Sequence, residues 1–191
     1  VRAEREDWFK AQDELDPERL VFLDETASTT NMVRRYGWAP RGERCRVAVP
    51  HGHWKTTTVT VALRTSGVAA MALFDGATNG ERFRAYVTDT LMPVLKRGDT
   101  VIMDNLGAHK VAGVREAIEA VGAKLLYLPP YSPDFNPIEQ IFAKLKADLR
   151  KAAARTLPDL EAAIRSAFDS LTPKACRNCL TAAAYTAYDP T

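Results

Sequence analysis

The chain has little that would anchor it in a membrane or brace it covalently. No apolar run approaches the roughly 20 residues that a bilayer-spanning helix needs. Val1 opens a charged segment instead of an apolar signal core, so nothing points to secretion. Cysteine is scarce: three thiols, an odd number, argue against a disulfide framework. Cys176 and Cys179 form a lone CxxC in a helical tail and read as packing or surface thiols. His51 and His53, in HGHW, alternate on an expected strand, but no companion Cys or His completes a zinc site. Internal repeats and low-complexity linkers are also missing. The first residue is not Met, which suggests a piece of a longer protein. What is present suffices for one domain, because 191 residues at 46% apolar content can bury a real core.

The net charge of +2 says little as a total, but its distribution along the chain is uneven. Residues 1–33 carry a net −5, whereas residues 34–64 carry Arg34, Arg35, Arg41, Arg44, Arg46, Lys55 and Arg64 against Glu43 alone, a net +6. A basic block of this kind neutralises phosphates and gives salt-dependent affinity for nucleic acid; the plainer alternative is a solvated surface ribbon. Trp38 and Trp54 flank the block. They suit stacking on bases, although core packing is the commoner fate of tryptophan.

Periodicity gives an order of elements. Residues 2–14 read as a charged helix closed by Asp16-Pro17. Short apolar or β-branched runs at 20–24 (LVFLD), 44–50 (RCRVAVP), 56–65 (TTTVTVALRT) and 68–75 (VAAMALFD) read as strands, three or four of them forming an antiparallel meander. Residues 80–96 have helical spacing with Asn79 as N-cap and Pro93 as a kink. TVIMD (100–104), a helix over 111–122 and AKLLYL (123–128) form a strand-helix-strand unit, which implies a parallel pair. Helices follow over 137–152, over 158–170 and from 173. The fold class is therefore α/β, a mixed five-stranded sheet flanked by helices.

Three acids stand out. Asp24 closes LVFLD and Asp104 closes TVIMD; acids at strand carboxyl ends share a crevice if their strands are parallel neighbours. Glu139 follows Asp104 after 34 intervening residues, near the start of a helix. Hard carboxylate oxygens suit Mg²⁺, which is commonly held by one or two carboxylates together with substrate phosphates. Each acid also has a plainer reading. An Asp at a strand end caps a turn, and in NPIE the pattern of Asn136 as N-cap, Pro137 at the first position and Glu139 at the third is a capping box. The preceding PPYSPDFNP holds four of the chain's eleven prolines and should be stiff enough to fix the helix entry.

Together LVFLDET, YGWAPRGER, DNLGAHK and LPPYSPDFNPIE resemble the catalytic domain of DDE transposases, in the bacterial insertion-sequence branch of the mariner-like superfamily. The resemblance spans about residues 16–170. It implies an RNase H-like fold, with Asp24, Asp104 and Glu139 as catalytic triad and ligands of two Mg²⁺ or Mn²⁺ ions. It also implies hydrolysis at transposon ends, transfer of the freed 3′-OH into target DNA at TA, a homodimer on double-stranded DNA, and a cytoplasmic, nucleoid-associated location. Asn105 and His109 would position phosphate or water, although a surface histidine is often merely solvated, and Arg34, Arg35, Arg41, Arg44 and Lys55 would contact DNA. The division expected is 1–15 as a linker helix from a DNA-binding region, 16–175 as the catalytic domain and 176–191 as a tail. Two rival readings share the same residues: an RNase H-like nuclease that hydrolyses without joining, and a non-catalytic DNA-binding descendant.

Overall fold

Five strands form one sheet in the order β3-β2-β1-β4-β5. In the computed structural model, which describes residues 1–186, these are β1 (Leu20–Thr29), β2 (Thr56–Arg64), β3 (Gly67–Asp75), β4 (Thr100–Met103) and β5 (Lys124–Tyr127). The end of the expected 176–191 tail lies outside the described residues. β1, β2 and β3 pair antiparallel, whereas β4 pairs parallel with both β1 and β5. This is the expected meander joined to a parallel strand-helix-strand unit. β1 sits at the centre, where the two halves meet.

Alternation along β1 builds two cores. Leu20 and Phe22 face the layer of α4 (Ile138–Ala152), α5 (Leu157–Asp169) and α6 (Pro173–Ala182), together with Val59, Val61 and Leu63 of β2. Val21 and Leu23 face the opposite layer, α2 (Gly80–Tyr86) and α3 (Val114–Ala120), with Phe83, Tyr86, Val114 and Ile118. α4 earns its place through the stripe Ile138, Ile141, Phe142, Leu145 and Leu149, all buried at helical spacing. Beyond Tyr86 the helix widens into a π turn at Val87–Leu91 and then tightens into a 3₁₀ turn at Met92–Val94. Pro93, which lacks an N–H and crowds the carbonyl four residues back, accounts for the break. Among the described residues no helix is long and apolar enough to cross a membrane.

Two expectations fail. β1 does not end at Asp24: it runs on to Thr29, because β2 offers ladder partners from Val61 opposite Asp24 to Thr56 opposite Thr29. Residues 44–50 form no strand, and neither does the HGHW segment; residues 31–55 form an arm without helix or strand, and Arg34 to Val49 are exposed. β1 is already paired on both edges, and the alternating Arg44, Arg46, Val47 and Val49 meet no surface to bury against. The base of the arm is tied where Thr30 N–H donates to Lys55 O (3.0 Å) and where Arg155 donates to Thr30 O (3.1 Å) and Met32 O (3.0 Å).

α1 (Arg2–Gln12) lies against the far end of the chain. Trp8 Nε1 donates to the Tyr185 hydroxyl (3.2 Å) and Gln12 Nε2 to Ala183 O (2.9 Å). Arg5 binds both carboxylate oxygens of Asp134, at 2.9 and 2.6 Å, and its guanidinium sits 4.7 Å from the Phe135 ring centre. The N-terminal helix thus rests on the proline-rich loop.

Candidate active site

Parallel register places the first two acids side by side. Leu23 pairs with Met103, so Asp24 and Asp104 are the next residues along neighbouring strands, at the carboxyl edge where α/β sheets gather ligands. The third acid arrives through the proline-rich loop. There Tyr131 takes a left-handed backbone (φ 56°), Pro133–Phe135 form a 3₁₀ turn, and the Tyr185 hydroxyl donates to Phe135 O (2.9 Å). α4 then begins, with Glu139 exposed on its first turn. Asp24, Asp104 and Glu139 line one cavity of about 580 Å³, which Glu25, Asn105 and Asn136 also border.

Asp24 is 8% exposed, and among the described residues no cationic side chain is hydrogen-bonded to it. Its Oδ1 accepts from the Glu25 N–H and its Oδ2 from Asn136 Nδ2, each at 2.7 Å. Burial pushes its pKa up to about 7; the Glu25 N–H opposes this, Asp104 and Glu139 add to it, and His109 opposes it. Asp24 therefore feels the other two carboxylates across the cavity, an excess of negative charge that a cation would relieve.

Asp104 is held differently. Its Oδ1 accepts from Leu106 N–H (3.2 Å) and touches His109 Nδ1 at 2.5 Å. His109 is fully buried, stacked 4.3 Å from the Phe83 ring, with Nε2 3.6 Å from Glu25 Oε2. Neither ring N–H is aligned for a hydrogen bond, so these are ion-pair contacts. Burial lowers the pKa of His109, but Asp104 and Glu25 outweigh it and push it up to about 9.

Several sequence expectations change here. Asn136 and Glu139 form no capping box: Pro137 is the N-cap residue, and the Asn136 Nδ2 donates to Asp24 while its Oδ1 accepts from the Ile138 N–H at the helix start (3.4 Å). His109 is not a solvated surface histidine. Trp38 and Trp54 are not core residues, at 101% and 58% exposed. Arg34, Arg35, Arg41, Arg44 and Lys55 all sit exposed on the 31–55 arm, outside the cavity lining. Cys176 packs in the core, with Cys179 half-buried beside it. Glu25 and Asn136 were not expected in the site. Alternation offers a signal for Glu25, because it continues the inward face of Val21 and Leu23 and so buries a charge that needs a partner.

The donor set fits a hard divalent cation: three carboxylates on one cavity, with one of them buried and lacking a neutralising partner. As placed, no three Asp, Glu, His or Cys side chains among the described residues stand close enough to hold an ion together. The site is thus an acid-lined cleft.

No curated protein matches the chain in sequence. Solved structures match in fold. The Mos1 mariner paired end complex with Mn is 21% identical with a TM-score of 0.74, covering 94% of this chain and 57% of that one. The Mos1 Strand Transfer Complex is 20% identical with a TM-score of 0.67, covering 98% and 61%. The catalytic domain of Mos1 mariner transposase is 18% identical with a TM-score of 0.61, covering 95% and 91%. The chain thus spans about three fifths of the chains in the two complexes, and its mixed sheet flanked by helices is their RNase H-like fold. The family described as "DDE superfamily endonuclease" matches residues 19–161, and with well over half its length so matched, the chain belongs to that family.

Proposed function

We propose that this chain is the catalytic domain of a DNA transposase, cutting at transposon ends and joining the freed 3′-OH to target DNA. The observation that carries the reading is the meeting of Asp24, Asp104 and Glu139 on one cavity at the carboxyl edge of the parallel pair. These three would hold two Mg²⁺ or Mn²⁺ ions. Bound there, the metals would activate water for in-line attack and stabilise the leaving 3′ oxygen.

The remaining residues bind and orient. His109, locked between Asp104 and Glu25, fixes the rotamer of Asp104. Asn105, exposed on the cavity wall, offers an amide to the scissile phosphate. Arg34, Arg35, Arg41, Arg44 and Lys55 meet the DNA backbone, and Trp38 and Trp54 stack on exposed bases. Two such chains act on paired ends and insert at TA.

Incubation of the protein with precleaved transposon ends, target plasmid and Mn²⁺ tests the reading. Joined product that disappears in Asp104→Asn is expected. Nicking of branched DNA or RNA hybrid without joining would instead identify a resolvase-type or ribonuclease-type enzyme. The absence of both, with no Asp24-dependent Mn²⁺ binding by calorimetry, would identify a non-catalytic binder.

A further inference from the structure

We infer that Asn136 is a positioning residue for Asp24, holding the buried carboxylate in the orientation that leaves it free to bind a cation; the inference rests on the metal-site reading above. Asn136 and Asp24 are 112 positions apart in sequence, both are buried, and their side chains meet at 2.7 Å. Among the described residues no other side chain donates a hydrogen bond to Asp24, and the Glu25 N–H takes the other oxygen. An ionised carboxylate offers about four lone-pair sites. Two are used, and two remain for a ligand.

The chemistry of the donor matters. Arg or Lys at this place would neutralise Asp24 and compete with the cation, and an ionised acid would repel the Asp24 carboxylate. A neutral amide orients the carboxylate without cancelling its charge. The backbone is arranged to present that amide: the Asn136 N–H donates to Pro133 O (3.0 Å), and Pro137 fixes the next residue. The proline-rich loop therefore positions two groups, Glu139 and the amide that sets Asp24.

Asn136→Ser separates this role from helix capping. Serine caps about as well as asparagine, but its hydroxyl falls short of Asp24. Calorimetric titration of Mn²⁺ into metal-free protein should show a Kd raised about 10- to 100-fold, with the helical circular-dichroism spectrum unchanged. In an Asp24→Asn background the same serine should change nothing further. Should Asn136→Ser not fold, Asn136→Asp keeps the size and the capping oxygen but loses the donor; its kcat for DNA cleavage should fall at least about tenfold while KM for DNA holds. Wild-type Mn²⁺ affinity in folded Asn136→Ser, or wild-type kcat in Asn136→Asp, overturns the inference alone. Wild-type protein that binds no Mn²⁺ through Asp24 overturns the metal-site reading and the inference with it.

Discussion

Two buried aspartates stand at opposite ends of the β1–β4 pair, and their partners differ in kind. Asp99, just before β4, is 1% exposed; Arg64 Nη2 reaches its Oδ2 at 2.5 Å and the Lys96 N–H donates to the same oxygen at 2.6 Å. Burial raises its pKa, but Arg64 and the Lys96 amide prevail and hold it below the usual carboxylate range. Asp24, at the carboxyl end, has neutral donors and two acidic neighbours, and rises to about 7. One acid is paired with a cation by the fold, although among the described residues nothing donates to its Oδ1, and the other is left short of positive charge by it. Such unrelieved charge in a cleft marks a working group more often than a structural one.

Removing the cation from the Asp99 end should do the most damage. Arg64→Ala strands Asp99 and also loses the bond from Arg64 to Val94 O (3.2 Å). Breaking a buried pair this way costs about 3–5 kcal/mol, measurable as a lower urea midpoint. Strand-joining activity per folded molecule should stay near wild type. If activity collapses while the protein remains folded, the two ends of β4 are coupled and the contrast fails.

The two acids should also pull stability in opposite directions with pH. Asp24 titrates higher folded than unfolded, so the metal-free fold loses stability as pH rises from about 4 to 7, by up to about 1.4 kcal/mol per pH unit. Asp99 titrates lower folded than unfolded, so its contribution is present above the ordinary carboxylate range and is lost only in stronger acid. His109, raised to about 9, stabilises fully below its ordinary value of 6.5 and loses that contribution as pH climbs through 9. Urea midpoints at pH 5 and 7, compared between wild type and Asp24→Asn, should differ in slope, with the mutant flatter. Mn²⁺ affinity should run the other way, rising as Asp24 ionises.

A smaller gain follows from Asp24→Asn itself. At pH 8 the metal-free variant should be more stable than wild type by about 1 kcal/mol, as expected when a strained functional group is neutralised. Cleavage should fall by at least about 10³-fold, the loss of several kcal/mol of transition-state stabilisation. A variant that is both less stable and fully active would place Asp24 with Asp99, as a structural acid.

Most of the sheet was legible because β2, β3, β4 and β5 are written in local patterns: β-branched runs, turn glycines and short apolar stretches. The failures share one cause, which is that the deciding partner is distant. β1 seemed to stop at Asp24 because DETAST is polar, yet the facing threonines of β2 carry the ladder on to Thr29. Arg44 to Pro50 has strand composition, but β1 is already paired on both sides and the segment stays exposed. That the three acids border one cavity was legible only in part: Asp104 follows the end of β4 and Glu139 starts a helix, but Asp24 lies within β1 and not at its end. Asn136 was not legible, because capping rules look two or three residues ahead and its partner lies at Asp24. The burial of His109 depended on Phe83 and Glu25, which no spacing from Asp104 reveals.

Glu139 offers the finest test, since its stability effect should be close to nil. Its side chain is exposed and makes no capping bond, so Glu139→Gln removes only a favourable charge from the first turn of α4, worth about 0.3–1 kcal/mol. It also relieves part of the repulsion that raises Asp24, and the two effects oppose each other. The net change in urea midpoint should therefore lie within about 0.5 kcal/mol. Cleavage in Mn²⁺ should nevertheless be almost abolished, because glutamine supplies no charge to a metal. A helix-start acid with no further role would give the same stability with undiminished cleavage. Activity, and not folding, decides whether Glu139 belongs with Asp24 and Asp104.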